Sequence, residues 1–129
     1  MNPADDLSGE WRGIFNYPAA QPPTEFTATL HDAGGTLSGH TVEPGLRGGT
    51  VTARIDGRRT GQAVTFNKLY DDERDGDYDT VAYRGAVDAD GTEIAGRWTI
   101  PGAWSGTFIM VREHGIEAEI GLEATEEVR

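Results

Sequence analysis

The chain has 129 residues, 36% of them hydrophobic, with 18 Gly, 6 Pro and no cysteine; it is long enough to bury one core, and disulfides and thiolate metal sites are excluded. Its net charge of −11, from 22 acids against 11 Lys plus Arg, repels duplex nucleic acid and anionic membranes, so neither is expected as a partner. Met1 to Ser8 has no basic n-region or apolar h-region, and no stretch is long enough to span a bilayer as a helix, so the default expectation is a cytoplasmic protein.

From Ser8 to Arg112 the chain repeats a short alternating apolar and polar stretch closed by Gly, Asp or Pro. The first, residues 10–17, puts Trp11, Gly13, Phe15 and Tyr17 on one face, and Pro18 to Pro23 ends it. The second, 24–31, sets Phe26, Ala28 and Leu30 against Thr27, Thr29 and His31, and Ala33-Gly34-Gly35 makes a tight hairpin. The third, 36–43, aligns Leu37, Gly39, Thr41 and Glu43 ahead of a loop from Pro44 to Gly49. The fourth, 50–56, turns Val51, Ala53 and Ile55 inward, and Asp56-Gly57 reads as the next turn.

The fifth stretch, 62–70, places Val64, Phe66, Lys68 and Tyr70 together ahead of an acidic loop, 71–77. The sixth, 79–88, aligns Val81, Tyr83, Gly85 and Val87, and Asp88-Ala89-Asp90-Gly91 turns the chain. The seventh, 93–100, carries Ile94, Gly96, Trp98 and Ile100 inward and stops at Pro101-Gly102. The eighth, 104–112, aligns Trp104, Gly106, Phe108 and Met110. Eight such stretches on short turns predict an all-β fold over residues 8–112, an eight-stranded antiparallel up-and-down barrel whose closure removes exposed edges. Inward glycines at 13, 39, 85, 96 and 106 suit its sharp coiling. A β-sandwich is the competing architecture, but no long Greek-key crossover is evident. Residues 113–129 read as an acidic C-terminal helix or tail, with Ile116 and Ile120 four apart.

The order of these segments resembles the avidin and streptavidin family of the calycin superfamily. Leu7-Ser8-Gly9-Glu10-Trp11 is similar to that family's opening Gly-x-Trp strand, and Leu37-Ser38-Gly39-His40-Thr41-Val42-Glu43 to its third strand. Tyr83-Arg84-Gly85 sits where the family has Trp-Ser-Gly, and residues 94–100 with Trp98 resemble its seventh strand. The resemblance implies the lipocalin-like barrel but not biotin. The expected first-strand Asn is Gly13, the third-strand Tyr is Thr41, the Ser after it is Glu43, and the last-row acid is replaced by Arg112.

Odd strands of such a barrel end at the rim where even strands begin. That gathers Tyr17, Glu43, Lys68, Tyr70, Asp79, Tyr83, Trp98 and Trp104 toward one mouth. Aromatic walls with a few polar groups suit a small ligand; the competing reading is core filling with charged groups snorkelling at the rim. Glu43, if inward, needs a partner, which Lys68 or Arg112 can supply, whereas Pro44 directly behind it favours release into solvent. The acidic run 71–79 lacks the closing Glu of a calcium loop, since Ala82 stands there. His31, His40 and His114 have no ligand spacing, and Ser38 and Ser105 no His partner, so neither a metal site nor a nucleophilic triad is expected.

The expected function is small-molecule binding, with an aromatic or amphipathic ligand held by Tyr17, Glu43, Lys68, Tyr70, Tyr83, Trp98 and Trp104 and no cofactor or metal. An alternative is a cofactor-free isomerase or cyclase using a lumen carboxylate with Tyr or Lys. A third is a structural or assembly protein with a filled barrel. Ile14, Val42, Leu69, Ile109 and Val111 interrupt the outer faces and predict a homo-oligomer.

Overall fold

The structure is a computed structural model that describes residues 6–18, 22–45, 48–71, 80–102 and 104–112. Eight strands follow in chain order: β1 (Gly9–Asn16), β2 (Thr24–Ala33), β3 (Thr36–Pro44), β4 (Thr50–Thr60), β5 (Ala63–Tyr70), β6 (Val81–Val87), β7 (Glu93–Ile100) and β8 (Trp104–Arg112). Each pairs antiparallel with the next, and β8 pairs back onto β1 through Trp11↔Arg112 to Asn16↔Thr107, so the barrel is closed. The sandwich alternative is thereby excluded. Asp79, most of the acidic loop and the segment 113–129 lie outside the described residues.

The alternation read from the sequence sets the inside. Trp11, Phe15, Phe26, Ala28, Leu30, Leu37, Ile55, Val64, Phe66, Tyr83, Ile94, Trp98, Phe108 and Met110 are buried in one core, each two residues from its inward neighbours on the same strand or facing them across it. Hydrophobic burial of these side chains is the main favourable term, at about 25 cal/mol per Å² of apolar surface removed from water.

One boundary is corrected. Asp56-Gly57 is not a turn: β4 runs on to Thr60, and the hairpin is made at Gly61, with φ +60°. Gly57 lies in the ladder between Leu37 and Phe66. A Cβ there would stand 2.2 Å from the Thr65 carbonyl oxygen and 2.5 Å from Phe66 Cα, so glycine serves close strand approach rather than chain reversal. β2 likewise extends two residues past His31 to Ala33.

The register separates two ends. One holds the start of β1 and the end of β8; the other holds the ends of β1, β3, β5 and β7 with the starts of their partners. The first end is closed. Leu7, fully buried, caps it, and its carbonyl accepts a hydrogen bond from Trp11 Nε1 at 2.9 Å. Arg112 lies over the Trp11 ring at 4.6 Å and donates to the carbonyls of Gly91, Ser8 and Asp6 at 2.8, 2.9 and 2.9 Å. Asp32 accepts from Arg59 Nε at 2.7 Å and from the backbone N–H groups of Leu7 and Gly35 at 2.9 and 2.8 Å.

Candidate functional site

The mouth is the opposite end, and Tyr17, Glu43, Lys68, Tyr70, Tyr83, Trp98 and Trp104 all belong to it. They form two clusters. In the aromatic one, Tyr17 stacks on Trp104 at 5.3 Å between centroids, and Trp98 meets both edge-on at 5.8 Å. Trp104 is 37% exposed at the rim, whereas Trp98 is buried and donates its indole N–H to the Asn16 carbonyl at 2.9 Å. That indole is seated on Gly106, where a Cβ would stand 2.7 Å from Nε1 and 1.9 Å from the Asn16 oxygen. Trp98 is thus a fixed wall and Trp104 the exposed ring.

The second cluster is polar and lies deeper. Glu43 is not freed to solvent by Pro44. It is 5% exposed and forms an ion pair with Lys68, itself 1% exposed. Tyr70 donates its hydroxyl to both Glu43 oxygens, at 3.0 and 3.2 Å, and Lys68 Nζ donates to the Tyr83 hydroxyl at 3.4 Å. The second partner expected for Glu43, Arg112, is at the closed end, because β8 runs from the mouth to Trp11. Burial holds the Lys68 ammonium below the usual lysine range against the opposing pull of Glu43. Burial, reinforced by the Glu43 charge, pushes the Tyr70 and Tyr83 phenols well up, so both stay protonated donors.

Phe15 and Phe26 join the clusters and were not among the residues singled out from the sequence. Their rings lie 5.8 Å apart, and Lys68 Nζ faces them at 4.7 and 4.9 Å. The legible signal was their inward parity beside Tyr17 and on the strand opposite it. Phe66 stacks on Tyr83 at 4.7 Å, nearly parallel, and Phe108 meets Tyr83 edge-on at 4.9 Å. Thr41, one inward step below Glu43 and flanked in register by Ala28 and Ala53, is 1% exposed. Among the described residues its hydroxyl finds no hydrogen-bond partner.

A surface groove lies between β2 and β3. Their ladder begins at Thr27↔Val42, so Thr24 to Phe26 pair only with β1, and Glu43 and Pro44 only with β4. A groove of about 450 Å³ occupies this splayed edge, lined by Arg12, Glu25, Phe26, Val42, Glu43 and Pro44 among others. Phe26 and Glu43, both facing inward and both in contact with Lys68, form its inner side. Among the described residues no group of three or more His, Asp or Glu side chains is placed to hold a metal ion.

No protein-family model and no curated protein matches the chain. Among solved structures, a de novo designed fluorescence-activating β-barrel is similar over 87% of this chain and 98% of its own, with a TM-score of 0.58 and 13% identity. At that identity the likeness shows the fold: this chain is an all-β, closed, eight-stranded antiparallel barrel.

Proposed function

We propose that the protein binds a small aromatic or amphipathic molecule at the barrel mouth, as a calycin-type binding barrel. The observation that carries this reading is the surface groove between β2 and β3, whose lining includes Glu43, the buried partner of Lys68. Its volume falls in the range of small-molecule sites, and it combines apolar walls with few convergent polar groups. A buried ion pair is a weak device for stability, since desolvation of both charges offsets their attraction. Among packed aromatic rings beside a groove, it serves instead to orient the polar end of a guest. The Thr41 hydroxyl, one inward step below Glu43 and without a partner among the described residues, supports the same reading, because a buried unsatisfied hydroxyl costs about 1–3 kcal/mol.

The test is a titration of tryptophan emission with small aromatic acids, alcohols and aldehydes. Binding alters the Trp104 signal, and Phe26→Trp or Val42→Trp, which narrow the groove, weaken it by at least about tenfold. A library without effect on emission, or affinities unchanged in both variants, overturns the reading.

We also propose self-association. Ile14 and Ile109 pair on the outer face, Ala95 follows Ile109, and Ala86 and Ala63 continue the row across the barrel. Such an apolar row suits packing against a second copy. Light scattering in moderate salt, with Ile109→Lys as the disrupting variant, checks it: a dimer that becomes a monomer is expected, and a wild-type monomer at high concentration contradicts it.

A further inference from the structure

Ten of the eleven cationic side chains are arginine, eleven less one, and the single lysine is Lys68. The fold carries that one amine inward, 1% exposed, against Glu43, with Nζ facing the rings of Phe15, Phe26, Tyr70 and Tyr83 at 4.7 to 5.7 Å. For a fixed positive charge arginine serves better, since it never deprotonates and offers more donors. Lysine differs in being able to lose its proton and act as a nucleophile. An amine held in an apolar, ring-lined site beside a carboxylate that itself lines a surface groove has the surroundings that imine formation requires.

We propose that Lys68 is a reversible imine-forming nucleophile and that the mouth takes a small aromatic or amphipathic aldehyde or ketone. The inference rests on the binding reading above and adds the chemical class of the ligand. The ammonium gives a proton to Glu43, and the neutral Nζ attacks the carbonyl carbon, forming the C–N bond as the carbonyl π pair moves to oxygen. Proton transfer from nitrogen to that oxygen gives a neutral carbinolamine. Glu43 then returns its proton to the hydroxyl, the C–O bond breaks, water leaves, and the nitrogen lone pair closes the C=N bond. The result is a cationic iminium facing the restored Glu43 carboxylate; the balance is ammonium plus carbonyl giving iminium plus one water. Tyr83, 3.4 Å from Nζ and held protonated, is the donor placed for the carbonyl oxygen. Entry through the groove displaces side chains only, since β2 and β3 share no ladder above Thr27↔Val42.

The chain has only two kinds of amine, Lys68 and the N-terminus, so the test is unambiguous. The intact protein is incubated with naphthaldehyde and cyanoborohydride, and the adduct is located by peptide mass mapping. The expected result is one equivalent on Lys68, formed at least about tenfold faster than N-terminal labelling. In Lys68→Arg only N-terminal label remains, and in Glu43→Gln the Lys68 rate falls by about tenfold or more while the N-terminal rate is unchanged. Label on the N-terminus alone in the wild type overturns the proposal. The alcohol counterpart, naphthalenemethanol, separates the two readings. If it perturbs tryptophan emission while no Lys68 adduct forms, binding stands and imine chemistry falls; if neither reagent has an effect, both fall.

Discussion

The two ends of this barrel use buried charge in opposite ways. At the closed end Arg112 and Asp32 spend their polar atoms largely on backbone: three carbonyls accept from Arg112, and two amides and Arg59 donate to Asp32. At the mouth Lys68, Glu43, Tyr70 and Tyr83 bind one another through their side chains, beside a groove and a Thr41 hydroxyl without a partner among the described residues. Groups tied to backbone cannot be replaced without stranding the backbone. Groups tied to each other can be replaced together, or redirected to a guest. The first arrangement fixes a fold, and the second leaves chemistry available.

Paired replacement breaks the comparison most sharply. Lys68→Met leaves Glu43 buried without its partner and is expected to cost about 3–5 kcal/mol in urea unfolding. Adding Glu43→Leu should recover most of that or exceed the wild type, because an apolar pair has no desolvation penalty. Arg112→Met should cost about 3 kcal/mol by stranding the carbonyls of Gly91, Ser8 and Asp6, and replacing a second side chain cannot restore those backbone bonds. A double variant at the mouth that stays as unstable as its worse single contradicts the distinction.

Acid sharpens it next. Burial alone would raise the Asp32 carboxyl, but hydrogen bonds from Arg59, Leu7 N–H and Gly35 N–H win and hold it below its usual value. A group whose folded value is depressed contributes its stability in full above the ordinary aspartate range and loses it as pH falls through the depressed value. The wild type should therefore weaken progressively below about pH 4, and Asp32→Asn should be less stable at neutral pH with a flatter acid limb. An unchanged acid limb in that variant removes the closed-end clamp from the account.

The smallest effect on stability should come from the rim. Trp104→Phe is expected to shift unfolding by under about 1 kcal/mol, since the ring is 37% exposed. It should nonetheless remove most of the acrylamide-quenchable emission, as Trp11 and Trp98 are buried. Quenching that survives in Trp104→Phe means that one of the buried indoles is reached by solvent.

Most of the barrel was legible in the sequence, because period-two alternation leaves a strand only one way to face a core. The inward rows of all eight strands and the gathering of seven mouth residues at one end follow from parity and the up-and-down order. What was not legible depends on cross-strand geometry. Asp56-Gly57 has turn composition, and only the closeness of Thr65 and Phe66 shows why a glycine sits mid-strand. Glu43 before Pro44 reads as a fraying end, yet β3 pairs with β4 up to Pro44↔Thr50, which keeps the carboxylate inside. The choice between Lys68 and Arg112 as its partner turns on which end of β8 is which, a property of closure rather than of any one strand.

The central claim is that the mouth, and not the closed end, receives a guest. Because Lys68 is the only lysine, protein grown on labelled lysine gives a single side-chain resonance, which can be followed beside the indole signals of Trp11 and Trp104 during titration with naphthalenemethanol. The Lys68 and Trp104 resonances are expected to move together and saturate while Trp11 stays still. Saturable movement of Trp11 with Lys68 unchanged contradicts it.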